Sequence, residues 1–136
     1  MLTKEIEQQL IDTINKQLNT HFIVLFGSFA KGTARDDSDI DLAYFSDEQL
    51  SSYERFILAG ELAAVVGHEV DLGDIKEIDT VFTMQIFSEG VPIYMQDENE
   101  FIRQKMRAYS MYATLSEQRA GTIEAIKQRG SVLGHE

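Results

Sequence analysis

The sequence predicts an α/β protein of the α+β kind, one mixed sheet of about four strands packed with helices and finished by a long C-terminal helix. Three observations carry this. Patterns of helical and of strand period alternate along the chain. One run, His21 to Phe26 (HFIVLF), is apolar from Phe22 onward and rich in β formers, as a buried strand is. A helical pattern about thirty residues long occupies the end of the chain. At 136 residues with 43% hydrophobic and 10% aromatic content, the chain can bury a packed core. We expect one domain over 1–136, with a core at about 20–95 and a helical extension at about 97–130.

Each element has its own signal. Ile6, Leu10, Ile14 and Leu18 recur every four residues and predict a helix from Thr3 to Leu18. HFIVLF ends at Gly27, and Ile40 to Phe45 (IDLAYF) predicts a second strand. Ser46 and Gln49 in SDEQ fit a capping box for the helix that carries Leu50, Ile57, Leu58, Leu62 and Val65 and stops at Gly67. Glu69 to Leu72 (EVDL) alternates as a third strand, Asp79 caps a helix ending at Gly90, and VPIYM, with the single proline, fits an edge strand. The last helix is expected from Asn99 to Arg129, with Gly121 as a point where it could break and the final six residues as a loose tail. Met106, Tyr109, Tyr112 and Leu115 would form one packed face of it.

Composition excludes several functions. There is no cysteine, hence no disulfide, thiolate nucleophile or Cys-ligated zinc. The polar N-terminus and short apolar runs predict neither signal peptide nor membrane span, so a cytoplasmic protein is expected. Residues 1–96 hold 6 Lys and Arg against 17 Asp and Glu, and residues 97–136 hold 6 of each. Duplex binding needs a basic surface to neutralise phosphates, so direct nucleic-acid binding is not expected. A small anion could still bind through a metal.

The chemistry concentrates in FGSFAKGTARDDSDIDL, Phe26 to Leu42. A phosphate-binding G-x-x-x-x-G-K-[ST] loop fails, because Thr33 directly follows Gly32 and the lysine is missing. A calcium loop fails at its sixth position, where Leu42 stands in place of glycine. What remains is a strand, Gly27-Ser28, ten residues, and Asp39-Ile40-Asp41 opening the next strand. Gly27 permits a tight turn with no side chain in the way, and the SFAK turn after it would aim backbone N–H groups and the Ser28 hydroxyl at an anion. Asp39 and Asp41, two apart, share one strand face about 7 Å apart, while Ile40 and Leu42 enter the core. Paired carboxylates repel unless a cation joins them, and they suit Mg²⁺. Asp71, between Val70 and Leu72, is the candidate third carboxylate. Asp36, Asp37 and Ser38 read as turn residues, and Lys31 and Arg35 as solvated ones. His21, His68 and His135 read as surface or strand-end residues without metal-ligand spacing.

The pattern G-S-x10-D-x-D resembles the signature of the polymerase-β-like nucleotidyltransferases. In size, and in the absence of further domains, the chain resembles their minimal group, the MntA-like antitoxins. The resemblance covers about residues 20–95. It implies ATP as substrate, Mg²⁺ held by Asp39, Asp41 and Asp71, and triphosphate contacts from Gly27 and Ser28. It also implies a HEPN-domain ribonuclease toxin as partner, with AMP transferred to one of its tyrosines. Two other outcomes stay open here: modification of a small molecule such as an aminoglycoside, and an antitoxin acting by contact alone.

Overall fold

The computed structural model describes residues 2–129. Its elements in chain order are α1 (Lys4–Asn15), β1 (Thr20–Phe26), α2 (Gly27–Lys31), β2 (Ile40–Ser46), α3 (Ser52–Val66), β3 (Val70–Asp74), α4 (Thr80–Glu89), β4 (Val91–Met95) and α5 (Glu98–Arg129). The four strands form one sheet in the order β3-β2-β1-β4. β1 pairs antiparallel with β2 and with β4, and β2 pairs parallel with β3, the parallel link being made through α3.

Strand alternation divides the core in two. Ile23 and Leu25 of β1, Ile40, Leu42 and Tyr44 of β2, and Val70 of β3 pack with Leu10 and Ile14 of α1 and Leu58 and Leu62 of α3. On the opposite face Phe22 and Val24, with Ala43 and Phe45, pack with Ile86 and Phe87 of α4 and Ala108 of α5. β1 is apolar at nearly every position because both of its faces are covered. Phe22 anchors the second layer, edge-on to Phe101 at 5.0 Å and beside Phe87 at 5.9 Å.

The helix ends follow local chemistry. Thr3 caps α1 by accepting from the Ile6 N–H, and Asp79 caps α4 by accepting from the Phe82 N–H. Gly67 ends α3 in the left-handed conformation at φ 76°.

Several expectations need correction. The capping box is Ser51/Glu54, not Ser46/Gln49. β2 continues through Ser46, whose hydroxyl donates to the Asn19 carbonyl and accepts from the Glu48 N–H, so it is committed to the strand end. α1 ends at Asn15, earlier than Leu18, and β3 runs two residues past Leu72. The GSFAK turn closes as a short helix. α5 passes through Gly121 without a break. Met106 (66% exposed) and Tyr109 do not join a packed face, because α5 meets the body of the protein only along its first part, through Phe101 and Ala108. The expected tail and His135 lie outside the described residues. Among the described residues, no helix is long and apolar enough to cross a membrane.

Candidate active site

The site is built where β1, β2 and β3 lie side by side and the α4/α5 layer stops short. Register places Phe26 opposite Asp41, and Asp41 opposite Asp71. Ile40 and Leu42 are both fully buried against α1 and α3, so the residue between them must point to the other face. Val70 imposes the same choice on Asp71. Two carboxylates therefore stand on adjacent strands, whose spacing is about 4.8 Å. Asp39 immediately precedes β2 and is exposed, as is Asp71, while Asp41 is half-buried.

Gly27 closes the third side. It leaves β1 with φ 71°, and a β carbon added there would lie 2.1 Å from Oδ2 of Asp41. The Asp41 carboxylate thus fills the space that any other residue's side chain would need. Glycine is required twice, for the left-handed backbone and for this approach. Gly27 opens α2, whose preceding residue, Phe26, supplies no side-chain cap. The start of α2 is thereby set next to Asp41, and its backbone N–H groups with the Ser28 hydroxyl are the candidate anion cradle.

Electrostatics mark the carboxylates as an uncompensated group. The Asp41 pKa is raised to about 6, chiefly by burial, then by the neighbouring Asp71 carboxylate, with a smaller contribution from Asp39. A cation would reverse that penalty. Among the described residues no three acidic or histidine side chains converge as a closed metal cage. Mg²⁺ does not require one, since it is commonly held by one or two carboxylates together with substrate phosphates and water. The donor set of Asp41 and Asp71 with Asp39 at the rim fits that open mode.

The remaining expectations sort cleanly. Asp36 and Asp37 are exposed turn residues, in a loop where the Ser38 hydroxyl accepts from the Arg35 N–H at 2.7 Å. Lys31 lies 3.4 Å from Glu89 on α4, an exposed ion pair. His21 sits at a strand start between Asp47 and Asp97, away from the carboxylates. Sequence reasoning missed the groove of about 510 Å³ beyond Asp71. It is lined by that residue, by Val70 and Leu72 of β3 and by Arg55, Phe56, Gly60 and Ala63 of α3. It also missed a small recess of about 110 Å³ beside Gly27, walled by Phe82 and Gln85 of α4. The signal for the groove was Gly60, a glycine inside a helix where alanine would be the better residue.

Fold and motif together define a nucleotidyl-transferring enzyme. The family model for polymerase beta nucleotidyltransferases matches residues 8–99. The protein adenylyltransferase MntA of Shewanella oneidensis (strain MR-1) is 31% identical over 115 residues, 83% of this chain and 81% of its own. Among solved structures, a toxin–antitoxin crystal structure with AMP-PNP superposes with a TM-score of 0.81 at 28% identity, over 89% of this chain and 98% of that one. A structure of tri-AMPylated Shewanella oneidensis HEPN toxin in complex with MNT antitoxin gives a TM-score of 0.76 at 24% identity, over 92% and 99% of the two chains. This chain belongs to the polymerase beta nucleotidyltransferase family, with MntA protein adenylyltransferases as its relatives.

Proposed function

We propose that this protein transfers AMP from ATP to a tyrosine hydroxyl of a cognate HEPN-domain toxin, and that it acts in this way as the antitoxin. The observation that carries the reading is the convergence of Gly27, Asp41 and Asp71 on three neighbouring strand ends. The relatives' names supply the acceptor class, protein adenylyltransferases in one case and an AMPylated HEPN toxin in the other. The row Ile102, Met106 and Tyr109, exposed at helical spacing on α5, supports a protein partner over a small molecule.

Each residue has a part in the reaction. Gly27 brings the backbone close to the triphosphate, and Ser28 with the α2 N–H groups orients the β- and γ-phosphates. Asp39, Asp41 and Asp71 would hold Mg²⁺, which supplies charge neutralisation for the developing pyrophosphate. Asp71, at the rim nearest the groove, accepts the proton of the attacking hydroxyl, whose pKa near 10 leaves it protonated at neutral pH. The hydroxyl oxygen bonds to the α-phosphorus, the bond from that phosphorus to the bridging oxygen breaks, and pyrophosphate leaves.

The test is mass spectrometry of the candidate toxin after incubation with ATP and Mg²⁺. Wild type should add AMP to a tyrosine, and Asp39→Ala with Asp41→Ala should not. Full toxin neutralisation by that double variant would instead support inhibition by contact. Modification of an aminoglycoside but not of the toxin would establish the small-molecule reading.

A further inference from the structure

The last inward position of β3 holds a carboxylate, although the rest of that strand's inward face is apolar. Val70 and Leu72 pack into the layer of α1 and α3, and Asp74, two residues further on, faces the same way and is buried. Its register partner across the parallel ladder is Tyr44, fully buried in that same layer. Arg55 of α3 completes the group. Its Nη2 lies 3.4 Å from Glu77, while its Nη1, the Tyr44 hydroxyl and Oδ2 of Asp74 are buried without a hydrogen-bond partner among the described residues. The three groups act on one another. Burial and then the Asp74 carboxylate raise the Tyr44 pKa, and Arg55 opposes them. Burial raises the Asp74 pKa too, with Arg55 among the groups that oppose it. Stability alone does not call for such a cluster, since apolar side chains of the same shape would fill the space without the desolvation cost.

What an apolar residue at position 74 could not do is fix β3 along its own axis. Side chains alternate with period two, so sliding a strand by two residues leaves each face as it was. With Val70, Leu72 and an apolar third residue, a slide of about 6.6 Å only exchanges one aliphatic contact for another. β3 is an edge strand of five residues paired with β2 alone, and little else resists that slide. Asp74 removes the degeneracy. A slide one way sets its carboxylate opposite Leu42, inside the apolar layer. A slide the other way sets Leu72 opposite Tyr44 and takes the carboxylate from the phenol and the guanidinium. We infer that Tyr44, Arg55 and Asp74 set the register of β3 against β2 and thereby place Asp71 opposite Asp41. Either slide would carry Asp71 to Asp39 or to Ala43 instead. The three are positioning residues, since they face α3 while the two carboxylates of the site face the other side of the sheet. Their effect on catalysis rests on the proposed AMP transfer; their effect on register does not.

The test replaces the whole cluster, Tyr44→Phe with Arg55→Met and Asp74→Leu, so that no buried polar group is left unpaired. The triple variant should stay folded, and its cross-strand backbone NMR contacts should pair residue 71 with 39 or 43 as well as with 41. Should it fail to fold, Tyr44→Phe with Asp74→Leu is read in the same way, because Arg55 then keeps Glu77. Asp74→Asn, which keeps shape and hydrogen bonding, should retain the single register of wild type. AMP transfer at saturating ATP and Mg²⁺ should fall about 10- to 100-fold in the triple variant, as expected when a reacting group is misplaced. In an Asp71→Asn background the same substitutions should change the rate by less than about twofold, since Asp71 is the residue they act through. An equal fall in both backgrounds would make the cluster a general stabiliser and overturn its positioning role. The NMR measurement needs neither ATP nor acceptor. Mixed register in the triple variant with no AMP transfer by wild type would sink the transfer reading alone. A single, unchanged register in that variant would sink this inference whatever the transfer assay shows.

Discussion

The two faces of the sheet are built from the same alternating strands, and they end differently. Toward α1 and α3 the apolar layer is complete up to the strand ends, with Ile40, Leu42 and Tyr44 fully buried. Toward α4 and α5 it covers Phe22, Val24, Ala43 and Phe45 and then stops, leaving Asp41 and Asp71 in the gap. Side chains on the complete face hold the carboxylates in place, since burial of Ile40 and Leu42 is what turns Asp41 outward. The site is thus positioned by the face that takes no part in its chemistry.

Substitutions on the two faces should separate activity from stability. The largest effect on function falls on the open face: Asp39→Ala with Asp41→Ala should reduce AMP transfer to the level of a no-enzyme control while the protein stays folded by circular dichroism. Leu42→Ala, one residue away on the closed face, should destabilise by about 2–5 kcal/mol through a core cavity, measured by denaturant unfolding. A Leu42→Ala protein as stable as wild type would break the assignment of the faces. Gly27→Ala lies between the two. The left-handed backbone alone costs roughly 1–2 kcal/mol, and the crowding of Asp41 adds to it, so both melting temperature and transfer rate should fall.

The smallest effect is a pH dependence. Asp41 in the folded state is raised above its unfolded value of 3.8 to about 6, so the native state binds this proton more readily than the unfolded chain. Metal-free protein should therefore gain stability from Asp41 as pH falls through 6 toward about 4 and lose it as pH rises. The buried Asp74 is also raised, chiefly by burial, and acts in the same direction. Comparison with Asp41→Asn isolates the first contribution, seen as a smaller rise in melting temperature between pH 7.5 and 5.5. Mg²⁺ with ATP should lessen the dependence by compensating the carboxylate charge. An Asp41→Asn profile identical to wild type would remove Asp41 as its source.

How far the sequence could be read depended on the range of each interaction. The apolar run of β1, the Asp79 cap and the Gly67 and Gly90 stops are local signals, and the structure shows each where it was expected. The capping box misplaced at Ser46 shows the limit, because two S-x-x-[EQ] patterns lie five residues apart and only the Ser46 bond to Asn19 on a neighbouring segment decides between them. Half of the packed face expected on α5, Met106 and Tyr109, stays exposed for a similar reason, while Tyr112 and Leu115 are half-buried. Periodicity identifies an apolar stripe, but nothing local says whether the protein's own body reaches it.

For the candidate site, the sequence by itself determined the residue types and their spacing: Gly27-Ser28 at a strand end, Asp39 and Asp41 two apart, and Asp71 flanked by Val70 and Leu72. Strand period alone settles that such residues point away from a core. The tertiary structure decided the rest. The parallel pairing of β2 with β3 brought Asp71 opposite Asp41, thirty positions apart in the chain, and the antiparallel β1–β2 register set Gly27 beside the Asp41 carboxylate. The groove past Asp71 exists only because α3 crosses the free edge of β3 with small residues facing it. Pairing and crossing are long-range choices made by burial of both sheet faces together, and no local pattern contains them.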